Sequence, residues 1–354
     1  MADEFSLHTP DEITADDQVA RVFEWRRGFN AMHLIDLGVQ LGLFKAFAET
    51  PDATPGKVAE TLGLHEPYVN TWCTTAYSFG LLDGDENRTF RLAPFFDQIL
   101  ANPGHPRYLG GFVRLGTEFA TEDHRYCMEA FKTGGTVPFQ GRSDVFAEVI
   151  AQSTAGLQVL SARKLLPELP GLQARLAAGG TIAEVGCGTG QHLIQLAKCF
   201  PEARLVGIDI DPTGIKVARS VVENAGLSDR ISLIESGIES AVEEGSVDAI
   251  VMIEVLHEIS PQLRQDVIQG CFRVLSPDGW LLIVDETYPA TLSESREKEF
   301  LFPVQTGFEE LTWGNVVPTQ EEQETLLRNA GFSREIGRTI VGEGFTVLSV
   351  QKPV

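Results

Sequence analysis

From Val19 to about Ala48, "VARVFEWRRGFNAMHLIDLGVQLGLFKAFA" returns an apolar residue every three or four positions, which predicts two closely packed helices. In the next stretch, "TPGKVAETLGLHEPYVNTWCTTAYSFGLLDGDENRTFRLAP", Thr54 is placed as an N-cap before Pro55, Gly63 stops that helix, and a second begins near Glu66. Two short apolar runs about a polar turn close the segment, so the order is helix, turn, helix, hairpin, that of a winged helix. Residues 95–175 carry further helical patterns, interrupted by the glycine-rich "TGGTVPFQGRSD" at 133–144, and are expected to form a bridge or lid.

At Thr181 the pattern changes. "TIAEV", "RLVGIDI", "ISLIE", "DAIVMIEV" and "WLLIVDE" read as strands, with helices at 190–200, 212–226 and 261–275 between them. Strand and helix in alternation predict an α/β fold, a parallel sheet covered on both faces. The last two strand-like runs, in "REIGRTIVGEGFTVLSVQ", have no helix between them and are expected to pair antiparallel. The expected organisation is a loose tail at 1–17, a mainly helical winged-helix domain at 18–110, a helical linker and lid at 111–175, and the α/β domain at 176–354.

Composition narrows the partners. A formal charge of −22 with no run of Lys and Arg disfavours nucleic acid and anionic membrane, and favours small or cationic partners. Residues 54–80, the helix-turn-helix, hold one Lys, no Arg and two Glu, which cannot neutralise phosphates. Five cysteines, at 73, 127, 187, 199 and 271, have neither metal-site nor disulfide-framework spacing, and with no signal-like or 18-residue apolar stretch they point to the cytoplasm.

The chemistry begins at "AEVGCGTGQH", where Gly186, Gly188 and Gly190 lie between a strand and a helix. Bare backbone there lets a ligand approach the carboxyl end of the first strand. A dinucleotide loop needs its third glycine at position six, where Gln191 or Leu193 stands, and no GK[ST] completes a phosphate loop.

"EVGCGTG", followed by the acidic end of "GIDID", resembles the class I S-adenosylmethionine-dependent methyltransferases. The resemblance implies a Rossmann-like seven-stranded sheet with an antiparallel last strand, and S-adenosyl-L-methionine as cofactor. Asp209 would accept both ribose hydroxyls, with Ile210 beside it, and Glu184 would orient the methionine end. Glu235, Ser236 and Gly237 stand near the adenine position, and Glu254 lies at the sheet edge beside the cofactor. The wider order, winged helix, helical linker, methyltransferase domain, resembles the dimeric small-molecule O-methyltransferases of plants and bacterial secondary metabolism. It implies a homodimer through the N-terminal domain.

In that group a histidine after the fourth strand is the base and a glutamate after the fifth orients it, positions matched here by His257 in "LHEIS" and Glu286 in "VDETYP". Ile259 replaces the usual aromatic, and Val316 and Val317 stand where plant relatives carry a further glutamate. His257 therefore has two other readings, as a cap for the helix at 261 or as a wall of the cofactor pocket. Met252, Phe302, Trp313, Arg125 and Tyr126 are candidate substrate contacts, with Phe308 and His124 near them, and Phe29 would join if the N-terminal helices exchange across a dimer. No metal ligand set is expected. Methylation of a thiol or thioether, of carbon in a 2-oxo acid, or regulation through cofactor binding are the competing functions.

Overall fold

The structure, a computed structural model, describes residues 13–354. Thr14 opens it: its hydroxyl accepts the Asp17 N–H while the Asp17 carboxylate accepts the Thr14 N–H, a reciprocal cap. The first helix therefore begins inside the stretch expected as a tail and runs over Ala15–Gln40; residues 1–12 lie outside the described residues. Gly42, at φ +74°, separates it from the helix Leu43–Glu49. Helices Pro55–Leu62 and Glu66–Ser78 follow, the first capped by Thr54 and closed by Gly63. Strands β1 (Leu82–Gly84) and β2 (Phe90–Leu92) pair antiparallel as the wing. Phe44, Phe47, Val69, Trp72 and Cys73 form the core of this unit, and the Trp72 indole donates to the Leu34 carbonyl at 2.9 Å.

The chain divides between Thr117 and Glu118 into two compact units. The second contains the large sheet: β3 (Thr181–Val185), β4 (Arg204–Asp209), β5 (Ile231–Glu235), β6 (Val247–Ile253), β7 (Leu275–Asp285), β8 (Ile336–Val341) and β9 (Phe345–Gln351). Their spatial order is β5-β4-β3-β6-β7-β9-β8. The first five strands in sequence are mutually parallel, and β9 runs antiparallel between β7 and β8. Apolar clusters on both faces explain why β3, β6 and β7 read as continuous apolar runs. From β3 the chain winds outward to β4 and β5, then returns to place β6 on β3's other side. The carboxyl ends of β3 and β6 therefore flank the crevice where open α/β sheets bind ligands.

Candidate active site

Two turns meet at that edge. After β3, Gly186 and Gly188 hold φ of +72° and +48°, and Gly190 caps the helix Gln191–Cys199. A Cβ on Gly186 would lie 2.3 Å from Val255 Cγ2, whereas one on Gly188 would meet open space. Only glycine suits the first position, and the second exposes backbone to a ligand. Asp209, the last residue of β4, accepts the Gly188 N–H at 2.7 Å and the Asp211 N–H at 2.8 Å on separate oxygens, leaving each oxygen a further lone pair. Burial is the main force holding its carboxyl above the usual range.

Glu184 is only 4% exposed; its Oε1 lies 3.0 Å from His192 Nδ1, while Oε2 has no partner. Thr189 Oγ1, in the same loop, is also buried and unpartnered. Orphaned acceptors beside open backbone are what a polar ligand would satisfy.

The second turn follows β6. Glu254 sits at φ +56°, and the next two N–H groups, of Val255 and Leu256, donate to Asp285 Oδ2 at 3.0 and 2.7 Å. His257, 3% exposed, places Nδ1 2.8 Å from Asp285 Oδ1, which also accepts the Glu286 N–H at 2.8 Å. On its other side, Nε2 lies 3.4 Å from Glu310 Oε2, which the Asn315 amide fixes at 2.8 Å. Burial pulls the imidazole's pKa down, but the charges of Asp285 and Glu310 and their hydrogen bonds outweigh it and hold it well above 6.5. His257 thus rests as an imidazolium between two carboxylates. Burial also pushes Glu258 and Glu286 up to about 8, and Glu254 well above its ordinary value.

A methyltransferase-domain family model matches residues 182–279. The 3-hydroxy-5-methyl-1-naphthoate 3-O-methyltransferase of Streptomyces sahachiroi is 24% identical over 69% of this chain and 70% of its own. An O-methyltransferase family protein of Burkholderia thailandensis superposes with a TM-score of 0.73 at 19% identity, over 96% of this chain and 99% of its own. Human N-acetylserotonin methyltransferase, solved in complex with SAM, gives 0.75 at 16% identity, over 97% and 100%. These two likenesses show the fold, and the domain match falls on the glycine loop and the β4 and β6 ends.

The chain is a class I S-adenosylmethionine-dependent methyltransferase. The residues present fit its cofactor: Asp209 keeps a free lone pair on each oxygen for ribose hydroxyls, and the unpartnered oxygens of Glu184 and Thr189 beside the open loop would take polar groups. In this methyltransferase Ile210 is largely exposed, Glu235 pairs in register with Asp209, and the Ser236 hydroxyl donates to the Gly237 carbonyl.

Four expectations change. The residue that orients His257 is Asp285, not Glu286: neighbours at a strand end point to opposite sides, and the Glu286 Oε2 is buried without a partner. The second carboxylate at the imidazole, absent around Val316 and Val317, comes instead from Glu310 on the helix Lys298–Trp313. Met252 is 0% exposed within a core cluster and does not line the cleft. His257 is no helix cap either, since Ser260 holds that position.

Of the remaining candidates, Trp313 donates its indole N–H to Asp123 at 2.8 Å, Phe302 packs on Phe345, and Tyr126 and Arg125 are exposed. Phe29 lies in the first unit under the Arg26 guanidinium. His192 escaped sequence reading because nothing local marks its contact with Glu184. Glu254, His257 and Asp285 bring ligand atoms within 4.8 Å of one another, yet Asp285's two oxygens already accept four N–H donors, so the trio fits a metal poorly.

Proposed function

We propose that this enzyme methylates an oxygen of a small-molecule acceptor and that the proton leaves into the His257–Glu310 pair. The carrying observation is a buried imidazole at the sheet edge, oriented by Asp285 and facing a second carboxylate across 3.4 Å. When bound, S-adenosylmethionine supplies a methyl group already activated on a sulfonium, so the chain's own work is placement and proton removal. Glu310 would accept the hydroxyl proton of the acceptor as its oxygen is methylated. The imidazolium opposite stabilises the oxygen while it is negative, and Asp285 keeps the ring in register. The name of the Streptomyces relative, an O-methyltransferase of a hydroxynaphthoate, supports oxygen as the nucleophile.

The test is transfer of labelled methyl to a panel of hydroxylated aromatics. His257→Ala is expected to lower kcat by about 10² to 10⁴ with cofactor affinity retained. Undiminished transfer would sink the proton-removal role and leave an acceptor with no proton to lose, such as a thioether.

The reading includes a homodimer. Val19, Val22, Phe23, Trp25 and Phe29 on the helix Ala15–Gln40 are each more than half exposed, a patch that a second copy would cover. It also includes a cytoplasmic setting, supported by five free cysteines. No single helix among the described residues is long and apolar enough to cross a membrane.

A further inference from the structure

The charges around His257 do not balance. Glu254, Glu258 and Glu286 each feel the charges of Asp285 and Glu310, Glu254 feels Glu286 as well, and the cation that all three feel is the same imidazole, already flanked by Asp285 and Glu310. Arg264, close by in sequence, offers no relief, because its guanidinium is committed to the carbonyls of Ile259, His257 and Val316. Glu286 is 3% exposed with Oε2 unpartnered, and Glu254 Oε1 is likewise buried and unpartnered. A buried carboxylate without a counterion or donor is costly, and a ligand that brings the missing charge removes that cost. The cofactor carries one net positive charge, its ammonium and carboxylate cancelling, which leaves the buried oxygens of Glu254 and Glu286 still without a donor.

We propose that the acceptor is a hydroxylated amine whose ammonium group seats against Glu286 and Glu254 while its hydroxyl faces Glu310 and His257. This rests on the oxygen-methylation reading and adds the substrate class. Without a ligand, Glu286 holds its proton up to about pH 8, as burial requires, and an ammonium ion would displace it. A formal charge of −22 would also draw cationic solutes toward the protein. Metal ions are the weaker match, because Asp285 has no free acceptor position to offer.

Calorimetric titration of the protein saturated with S-adenosylhomocysteine tests this with matched pairs, dopamine against 4-ethylcatechol and tyramine against 4-ethylphenol. Each amine is expected to bind at least about tenfold tighter than its neutral partner, the worth of one partly desolvated charge pair. Glu286→Gln and Glu254→Gln should each reduce that ratio severalfold. Equal binding within both pairs, absence of binding included, overturns the proposal, as does a preference that survives both substitutions or disappears on adding a chelator. Methyl transfer to the neutral catechol with no amine preference would leave oxygen methylation standing and remove only the amine. Tight amine binding with methylation elsewhere than oxygen would do the reverse.

Discussion

Glu286→Gln is the sharpest probe of the pocket's charge state. Burial lifts this carboxyl from 4.5 to about 8, with Asp285, Glu309 and Glu310 adding to the effect and His257 opposing it. In the unfolded chain it ionises near its ordinary value, so the folded state binds the extra proton. Its contribution to stability is therefore full below pH 4.5 and is lost as pH rises through the folded value near 8. One pH unit in that window is worth about 1.4 kcal/mol, which makes the loss about 3 kcal/mol at pH 7 and close to 5 kcal/mol above pH 8. Glutamine keeps the shape and cannot ionise. The ligand-free variant should match the wild type near pH 4 and exceed it by about 3 kcal/mol at pH 7, roughly 6 to 12 °C in Tm for a unit of this size. Denaturant and thermal unfolding across pH 4–9 would read the difference. A gap that does not change with pH, or a variant less stable at pH 8, would refute the argument and mean that Glu286 is ionised and paired in the fold.

Two further outcomes test other parts of the molecule. Asp209→Ala should weaken cofactor binding about 10- to 100-fold by calorimetry, because it removes a charged acceptor and frees the Gly188 N–H it holds; unchanged affinity would displace the ribose from Asp209. The wild-type chain should sediment as a dimer, twice 38.7 kDa, and Phe23→Glu or Trp25→Glu as a monomer; a monomeric wild type at micromolar concentration ends the dimer reading.

What could be read from the sequence was governed by distance along the chain. Thr54, Pro55 and Gly63 delimit a helix through contacts within a few residues, and the structure places the helix at Pro55–Leu62. The glycine loop and Asp209 were legible for a similar reason, since strand, turn and helix follow one another with fixed spacing. At the other turn, sequence brought His257 and the pair Asp285 and Glu286 to one edge, but which carboxylate faces the ring depends on the end of β7 in three dimensions. Glu310 was harder still. Its segment, "GFEELTWGN", is marked locally only by its aromatics, whereas Glu310 reaches His257 through the packing of a helix 53 residues further along. Met252 shows the opposite failure: on a strand buried on both faces, alternation no longer tells cleft from core.

The two halves of the site are mechanically one object, and Asp285 with Gly186 makes them so. A non-glycine residue at φ +56°, as Glu254 is, costs on the order of 1–2 kcal/mol. The two charge-assisted bonds from Val255 and Leu256 to Asp285 offset it, and the same carboxylate then fixes His257. Val255 can occupy this turn because Gly186 has no side chain, a Cβ there lying 2.3 Å away. The glycine that opens the cofactor loop therefore also makes room for the turn that carries the imidazole. The glycine loop and the imidazole turn share one set of backbone contacts, and a change at either glycine or carboxylate moves both.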